Sequence, residues 1–168
     1  MKLIGKAHKF GDNIDTDVII PYKYKARTIN PYELAEHVME GIEPNFSKKV
    51  SKGDFIVAGK NFGCGSSREQ APIAIKFSGI LCVIAESFAR IFYRNSMNIG
   101  LPLLVCNNIS ALVKQGDLLE VNLKEGLVRI LNKNKKVRCE RLPEFMIKIL
   151  SSGGLVEFYK QKQKLLWD

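Results

Sequence analysis

A glycine- and serine-rich segment, residues 61–70, holds the residue types best suited to chemistry in this sequence. Its two glycines, Gly63 and Gly65, let the backbone turn tightly and bring N–H groups close to a ligand. A helix predicted over residues 68–78 would add free N–H groups and the positive end of its dipole. Arg68 supplies a planar guanidinium that can pair with a carboxylate through two hydrogen bonds. Together these features indicate a site for a phosphate or a carboxylate.

The serines of this segment, Ser66 and Ser67, allow two kinds of chemistry. Either hydroxyl can donate a hydrogen bond to a bound anion or, once deprotonated in a positive environment, act as a base. The segment lacks the Gly-Lys pair that ends a P-loop, and it does not match the G-x-G-x-x-G fingerprint of dinucleotide sites. A nucleotide site is therefore disfavoured, and a tight turn with a capping serine stays open as the alternative to an anion site.

Three further segments carry charged residues that could serve a site. Residues 12–17 place three aspartates in six positions, which suits a divalent cation, but they lack EF-hand spacing and turn formation is favoured. Residues 22–28 form a basic, aromatic loop that is either solvated or closes over an acidic substrate. Arg90 and Arg94 lie four residues apart on one face of a predicted helix, where exposed structural arginines are the alternative to a functional pair.

The elements that must position these segments follow from the hydrophobic pattern. Compact apolar runs alternate with predicted helices, which is typical of buried parallel strands joined by crossovers. After Gly116 the pattern changes to short alternating strands split by turns, which predicts an antiparallel meander followed by helices over residues 143–150 and 155–164. The predicted strands are residues 3–9, 55–58, 81–85, 101–106, 118–123, 127–131 and 136–140. The sequence therefore predicts an α/β fold with a mixed sheet flanked by helices, in one domain spanning residues 1–168.

A further helix is predicted to begin at Asn30, which can cap it, with Pro31 in its first turn. The apolar stripe continues to Ile42, so the helix is expected to reach that residue. His37 is then expected on its outer face.

Composition limits the classes of protein to which the chain can belong. Of its 168 residues, 46% are hydrophobic and 26% charged, which indicates an ordinary globular domain and argues against a disordered or coiled-coil chain. The sequence has no run of about 18 uncharged apolar residues and no secretory signal pattern, so we expect a cytoplasmic location and no membrane partner. The net charge of +9 means that nucleic-acid binding has to be considered. The basic residues are scattered, however, and no nucleic-acid-binding motif accompanies them. No nucleic-acid partner is therefore predicted.

The four cysteines, at positions 64, 82, 106 and 139, show no CxxC spacing. A self-contained zinc or iron–sulfur site is therefore not predicted, and no metal is assigned to this chain. Cys82 and Cys106 lie in apolar runs and are interpreted as buried thiols. A disulfide is not expected in a cytoplasmic chain of this size.

Three motifs taken together resemble those of a known family. They are residues 61–69, residues 85–95 with the sequence Ala-Glu-Ser-Phe-Ala-Arg-Ile-Phe-Tyr-Arg-Asn, and the aspartate-rich residues 12–17. The set resembles the small subunits of 3-isopropylmalate dehydratases, and it is similar to homoaconitase small subunits and to the C-terminal swivel domain of aconitase. The resemblance extends from about Ala7 to Tyr159. It implies a single swivelling domain of the aconitase C-terminal type and favours a ligand site over a simple turn in residues 61–70.

The resemblance also implies a hydro-lyase that is active only when this chain is joined to a large subunit, in a heterodimer or heterotetramer. The large subunit would carry a [4Fe–4S] cluster, and this chain would bind no cofactor. The implied reaction interconverts 2-isopropylmalate and 3-isopropylmalate by dehydration and rehydration, a step of leucine biosynthesis. The bound molecule would thus be a small 2-hydroxy di- or tricarboxylate.

By the same resemblance, Ser66 is the base that removes a proton next to a carboxylate, acting as an alkoxide. Loop N–H groups, a helix N-terminus and Arg68 would all favour negative charge there. The expected substrate contacts are Ser67, Arg68 and Arg27. The expected supporting residues are Asp17, Gly63 and Gly65.

The loop formed by Tyr24, Lys25, Ala26, Arg27 and Thr28 is where this family reads the variable group of its substrate. An isopropyl group requires an apolar contact, whereas a homocitrate-type substrate requires an arginine for its additional carboxylate. Ala26 and Arg27 stand side by side, so the loop departs from both patterns. We place isopropylmalate first. The alternative is homoaconitase or another aconitase-like hydro-lyase that acts on 2,3-dimethylmalate or a citrate-type substrate.

Overall fold

A seven-stranded mixed sheet forms the frame of the computed structural model, which describes residues 2–166. The strands are β1 (Lys2–Lys9), β2 (Phe55–Ala58), β3 (Cys82–Ala85), β4 (Leu103–Val105), β5 (Leu118–Asn122), β6 (Leu127–Ile130) and β7 (Lys135–Arg138), and their order across the sheet is β4-β3-β2-β1-β5-β6-β7. The helices are α1 (Thr16–Ile19), α2 (Tyr22–Lys25), α3 (Pro31–Glu36), α4 (Gln70–Phe77), α5 (Arg90–Asn98), α6 (Ile109–Leu112), α7 (Glu144–Ser151) and α8 (Leu155–Leu166). The predicted α/β fold with a mixed sheet is confirmed. The prediction that one domain spans residues 1–168 stays a prediction, and its ends, residues 1, 167 and 168, lie outside the described residues.

The central strand β1 belongs to both halves of the sheet. Its first part, from Lys2 to Lys6, pairs antiparallel with β5, and its last part, from Ala7 to Lys9, pairs parallel with β2. Strands β3 and β4 continue the parallel half, and β5, β6 and β7 form the antiparallel meander. Strands β2 and β3 are buried along their whole length, as expected for parallel strands covered on both faces.

Apolar side chains cover both faces of the sheet. Alternate residues of β2 point to opposite sides, so Ile56 packs with α3, α4 and α5, whereas Phe55 packs with α6 and the antiparallel strands. The loops at the strand ends are therefore attached to a sheet that is held in place by packing on both of its faces. Among the residues described, no helix combines the length and the apolar character needed to cross a bilayer.

The buried carboxylate of Asp54 lies where β1 exchanges one neighbouring strand for the other. It accepts the backbone N–H groups of Lys6 at 3.1 Å and Ser51 at 2.9 Å, and it lies 2.8 Å from Nε2 of His8. Burial by itself would raise the pKa of Asp54, but these hydrogen bonds outweigh it and hold the pKa below the ordinary value of 3.8. The carboxylate thus ties β1 to the turn that leads into β2.

The helix predicted from Asn30 is shorter than expected. It begins as predicted, with Asn30 as its cap, but it ends at Glu36. Met39 then adopts a positive φ of 57° and donates its N–H group to the carbonyl of Ile19. A tertiary hydrogen bond therefore replaces the last helical turn. His37 is the C-terminal cap of the helix, and its ring stacks on Tyr24 instead of lying on the outer face of the helix.

A disulfide joins Cys106 to Cys139, so the interpretation of Cys106 as a free buried thiol and the expectation of no disulfide were wrong. The two cysteines are 33 residues apart in the sequence, a spacing that does not indicate a bond. Cys106 follows β4 and Cys139 follows β7, the two outermost strands of the sheet. The sheet curls so that these strand ends meet, and the N–H group of Glu140 donates to the carbonyl of Val105 at 2.9 Å. Cys82 is a buried free thiol, as predicted, and burial raises its pKa.

Replacing Asp54 with asparagine is expected to destabilise the fold. The variant loses the charge that holds the N–H groups of Lys6 and Ser51, so the free energy of unfolding should fall by about 1–3 kcal/mol at pH 7. Because the folded-state pKa of Asp54 lies below its ordinary value, this stabilisation is present above the ordinary pKa and is lost as the pH falls through the folded-state value. Urea unfolding at pH 7 and at successively lower pH measures both effects.

The matched control for Asp54→Asn is Glu144→Gln, because the Glu144 carboxylate is exposed on α7 and pairs only with Lys148 one turn away among the described residues. We expect this control to change the free energy of unfolding by less than about 0.5 kcal/mol. Equal effects of the two substitutions would contradict the role assigned to Asp54, as would a difference that does not shrink at acid pH.

Candidate active site

The three motifs that carry the family resemblance meet at one edge of the sheet. The carboxyl ends of β1, β2 and β3 lead into residues 10–15, 59–69 and 86–89, respectively. Loops at this edge of a parallel sheet are the usual place of ligand sites, because they all leave the sheet on the same side. The fold therefore brings together segments that are far apart in the sequence.

Backbone hydrogen bonds hold the glycine-rich loop between its two neighbours. On one side, the N–H group of Gly63 donates to the carbonyl of Ile14 at 2.8 Å, and that of Thr16 donates to the carbonyl of Cys64 at 2.9 Å. On the other side, the N–H group of Phe62 donates to the carbonyl of Ser87 at 3.0 Å. The loop thus has a defined position relative to both flanking segments before any ligand binds.

Gly63 and Gly65 are needed where this loop turns. Both have a positive φ, of 80° and 91°, which residues with a Cβ rarely adopt. A Cβ on Gly63 would overlap the buried side chain of Phe92, and a Cβ on Gly65 would overlap the carboxylate of Asp15. These close approaches support the predicted role of the two glycines in shaping the site.

Ser66, Arg68 and Asp17 form one connected polar arrangement. Nε of Arg68 donates to Oγ of Ser66 at 2.7 Å, and Nη1 of Arg68 lies 2.6 Å from Oδ1 of Asp17. The Arg68 side chain is only 14% exposed, and its Cζ lies 5.9 Å from the centre of the Tyr22 ring. A hydrogen bond from a cation favours negative charge on Oγ of Ser66, while the ion pair with Asp17 fixes the orientation of the guanidinium.

The short helix α1, which the sequence did not indicate, places Asp17 and the Ser66 backbone. The Asp15 carboxylate caps this helix by accepting the N–H group of Asp17 at 2.7 Å. Oγ1 of the buried Thr16 donates to the carbonyl of Ser66 at 2.9 Å. The aspartate-rich segment is thereby attached directly to the serine loop.

A cavity of about 220 Å³ opens beside Ser66. The loop from Gly63 to Arg68 lines one side, and residues 89–92 line the other. The second side is the first turn of α5, whose N-terminus has no side-chain cap. We expected α4 to direct its N-terminus at the site, but α4 begins at Gln70 and, in the described part of the chain, contributes no residue to the lining. The expectation is corrected to α5, because residues 86–89 bring the chain back to the cavity.

The predicted specificity loop, Tyr24 to Thr28, borders a different depression. Its first residues belong to α2 and are not an open loop. Arg27 and Thr28 line a depression of about 600 Å³ together with acidic side chains of α3. Arg27 is exposed, and among the described residues it does not border the Ser66 cavity. Its role in substrate binding therefore stays a prediction.

Tyr24 anchors the start of this loop. Its ring stacks on His37 with 3.6 Å between ring centres, and its hydroxyl donates to Oε1 of Glu40 at 3.1 Å. Partial burial would raise the pKa of Glu40, but the hydrogen bonds from His37 and Tyr24 outweigh it and lower the pKa. Tyr24 is therefore held against His37 and Glu40, the residues that follow α3.

The described residues do not bring together a ligand set for an iron–sulfur cluster. Burial and the nearby Asp15 carboxylate both raise the pKa of the Cys64 thiol, which disfavours the thiolate that a metal requires. Within residues 2–166, no group of three or more His, Cys, Asp or Glu side chains is placed to hold a metal ion.

Sequence reasoning did not assign several residues that line the Ser66 cavity. They are Thr16, Ala89, Ile91 and Phe92, and the role of Arg90 was left open. The motif over residues 85–95 pointed to the correct segment. Helical spacing showed that Arg90 and Arg94 share a helix face, but it could not show which turn of α5 reaches the serine loop.

Comparisons with known proteins cover nearly the whole chain. The family model for the aconitase C-terminal domain matches residues 45–108. A 3-isopropylmalate dehydratase small subunit from Halothermothrix orenii is 57% identical over 95% of this chain and 96% of its own. A methanogen homoaconitase small subunit from Methanocaldococcus jannaschii is 55% identical over 99% of this chain and 95% of its own. A crystal structure of 3-isopropylmalate dehydratase from the same organism superposes with a TM-score of 0.93 at 54% identity, over 99% of this chain and 98% of that one.

Substituting alanine for Gly63 is expected to destabilise the chain more than the same change at Gly116. Both glycines have a φ near 80°, so both variants incur the cost of a left-handed backbone, about 1–2 kcal/mol. Only at Gly63 does the new Cβ overlap a buried side chain, whereas a Cβ at Gly116 has nothing within 4 Å. Overpacking should add about 1–3 kcal/mol to the loss at Gly63. Urea unfolding of the two variants measures the difference, and equal losses would show that the loop does not pack against Phe92 as described.

Proposed function

Because the chain belongs to the family of 3-isopropylmalate dehydratase small subunits, we propose that it forms one wall of a hydro-lyase active site. The reaction interconverts 2-isopropylmalate and 3-isopropylmalate, by dehydration and then rehydration, in leucine biosynthesis. The observation that carries the proposal is the hydrogen bond from Arg68 to Ser66, at a cavity beside the carboxyl ends of parallel strands. A base and a carboxylate-binding cation in contact are what this chemistry requires of a small subunit.

Ser66 is the group that removes the proton from the carbon next to a substrate carboxylate. A serine hydroxyl is a weak base in water, so its alkoxide needs local stabilisation. Nε of Arg68, 2.7 Å from Oγ, supplies a charge-assisted hydrogen bond. The uncapped first turn of α5 adds positive potential from the opposite side of the cavity. In the rehydration direction the same hydroxyl returns a proton to carbon.

Arg68 and Ser67 bind the carboxylate next to the reacting carbon. Nε of Arg68 donates to Ser66, and Nη1 is paired with Asp17 by charge without a hydrogen bond, so the guanidinium keeps N–H donors for the substrate. Ser67 is exposed in the same cavity and can donate its hydroxyl to the same carboxylate. Asp17 keeps the guanidinium in the orientation that serves both the base and the substrate.

The opposite wall of the active site belongs to a large subunit. We expect that subunit to carry a [4Fe–4S] cluster, which supplies the Lewis acid that accepts the substrate hydroxyl. This chain contributes the base and the carboxylate contacts, in a cytoplasmic heterodimer or heterotetramer.

A homoaconitase small subunit is the second candidate. It is favoured by Arg27, an exposed cation in the loop expected to read the variable group, and by the 55% identity to the methanogen homoaconitase small subunit. Isopropylmalate stays first because Arg27 borders acidic side chains of α3, which can hold its charge without a substrate carboxylate. An arginine turned inward against an isopropyl group would be buried without a partner, at a cost of several kcal/mol.

The first test compares the purified chain with the complex formed with a co-expressed large subunit of this family. The complex should consume 2-isopropylmalate, and the chain alone should show no turnover and contain no iron, because it lacks cluster ligands. Turnover is measured by chromatography of substrate and product, and iron by elemental analysis. Turnover by the isolated chain would contradict the proposed division of roles.

The same assay with a homocitrate-like tricarboxylate separates the two candidate functions. If isopropylmalate is the substrate, Arg27→Ala should lower kcat/KM for both compounds alike. A selective loss of activity on the tricarboxylate, with isopropylmalate spared, would favour homoaconitase.

Removing the hydroxyl of Ser66 should abolish most of the activity and leave the fold intact. Ser66→Ala deletes a small exposed side chain, and general-base catalysis is worth about 10²- to 10⁴-fold, so kcat of the complex should fall by at least that range. Ser151→Ala is the matched control, because its exposed hydroxyl donates only to the carbonyl of Ile147 among the described residues. If Ser66→Ala kept more than about a tenth of wild-type turnover, a loss of only about 1.4 kcal/mol in barrier terms, Ser66 would not be the base.

A further inference from the structure

We propose that Arg90 binds the second carboxylate of the substrate, across the cavity from Arg68. The inference rests on the proposed function, because it concerns the same cavity and a dicarboxylate substrate. Arg90 is the first residue of α5 and lines the same cavity as Ser66 and Arg68. The two arginines are the cationic side chains of that lining.

The backbone before Arg90 is held in place independently of any ligand. The N–H group of Ala89 donates to the carbonyl of Phe62 at 2.9 Å, which continues the pairing that fixes the glycine-rich loop. Two residues after Arg90, the buried Phe92 packs under Gly63. The start of α5 and the loop that carries Ser66 are therefore one packed unit, so the fold sets the backbone positions of Arg90 and Ser66 relative to each other.

The charges around the cavity differ between its two sides. On the Ser66 side, the positive charge of Arg68 is offset by Asp17, and the Asp15 carboxylate lies directly behind Gly65. On the other side, Arg90 is exposed and forms no ion pair with any of the described residues. A dianionic substrate gains little net attraction from the Arg68 side alone. Arg90 is the cation of this cavity that is free to supply it.

The substrate of the proposed reaction offers two carboxylates for recognition. A 2-hydroxy dicarboxylate carries one carboxylate next to the carbon that loses its proton and a second carboxylate at the far end. Arg68 is placed beside the base and serves the first carboxylate. The guanidinium of Arg90 offers a planar pair of donors on the facing side for the second. Binding at both ends would hold the reacting carbon over Ser66.

Arg94, one helical turn later, provides a matched comparison. It is also an exposed arginine on α5 without an ion pair to the described residues, but it borders a small groove between α5 and α7 and does not line the Ser66 cavity. The two arginines thus share residue type, helix and exposure, and differ in the cavity that they face.

The test uses the assembled complex with 2-isopropylmalate as substrate. Arg90→Ala should raise KM or lower kcat/KM by about 10- to 100-fold, the range for losing a hydrogen-bonded charge, while Arg94→Ala should change both less than about twofold. Arg90→Lys keeps the charge and loses the planar donor pair, so it should recover part of the loss. Circular dichroism and thermal melting show that each variant is folded.

A second readout identifies the carboxylate involved. The two monoamides of 2-isopropylmalate, each lacking one negative charge, are measured as inhibitors of the wild-type and Arg90→Ala complexes. The wild type should bind both monoamides more weakly than the dicarboxylate. Arg90→Ala should bind one of them as tightly as it binds the dicarboxylate, because the residue that recognised the missing charge is gone.

Two results would overturn the inference while the proposed function stands. In the first, Arg90→Ala binds both monoamides more weakly than the dicarboxylate by the same factors as the wild type, and its kcat and KM match those of Arg94→Ala. The other is a loss of affinity between the subunits, measured by titration of one subunit with the other, with normal KM once the complex is saturated, which would make Arg90 a docking residue. Absence of isopropylmalate turnover in the wild-type complex would instead refute the proposed function and this inference with it.

Discussion

The buried carboxylate of Asp54 is the constraint on which the rest of the structure depends. It accepts N–H groups from β1 and from the turn before β2, at the residue where β1 passes from its antiparallel to its parallel partner. This fixes the register of Ala7 opposite Phe55. Because a register error of one residue would turn every side chain to the other face, the loops that leave β1 and β2 meet correctly only in this register.

Charge at the candidate site is distributed so that Arg68 both holds Ser66, the proposed base, and is itself held by Asp17. Arg68 donates to Ser66 and pairs with Asp17, and Asp17 is in turn placed by the cap of α1. Each group in this chain has its orientation determined by the next, so little reorganisation is needed when charge develops on Oγ of Ser66. The Asp17 carboxylate also offsets the positive charge of Arg68. An additional cation at the cavity would therefore increase the net attraction for an anionic substrate.

The sequence predicted the parts of the fold in which local pattern and tertiary environment agree. Strands buried on both faces need continuous apolar runs, so β2 and β3 were recognised almost to the residue. The helix from Asn30 was predicted too long because the stripe of apolar residues continues past Glu36, while a hydrogen bond between Met39 and Ile19 diverts the backbone. The residues near Glu36 in the sequence give no indication of this long-range hydrogen bond.

The same distinction applies to the candidate site. The glycines, the serines and Arg68 form one contiguous segment, so the sequence alone could indicate that they belong to one site. The choice between Arg90 and Arg94, and the replacement of α4 by α5 as the helix facing Ser66, depend on how residues 86–89 return to the cavity. The meeting of Cys106 with Cys139 likewise depends on the curl of the whole sheet, which spacing cannot express.

That curl has a consequence for how other proteins can meet this chain. The Cys106–Cys139 bond and the hydrogen bond from Glu140 to Val105 bring the ends of the two outermost strands together. An open sheet offers rows of unpaired backbone groups to which a foreign strand can add, but here β4 and β7 shield one another at these ends. Strand addition is thereby disfavoured. A partner is then expected to recognise side chains on loops and helices. Under the proposed function, the loops around Ser66 would therefore serve both assembly with the large subunit and catalysis.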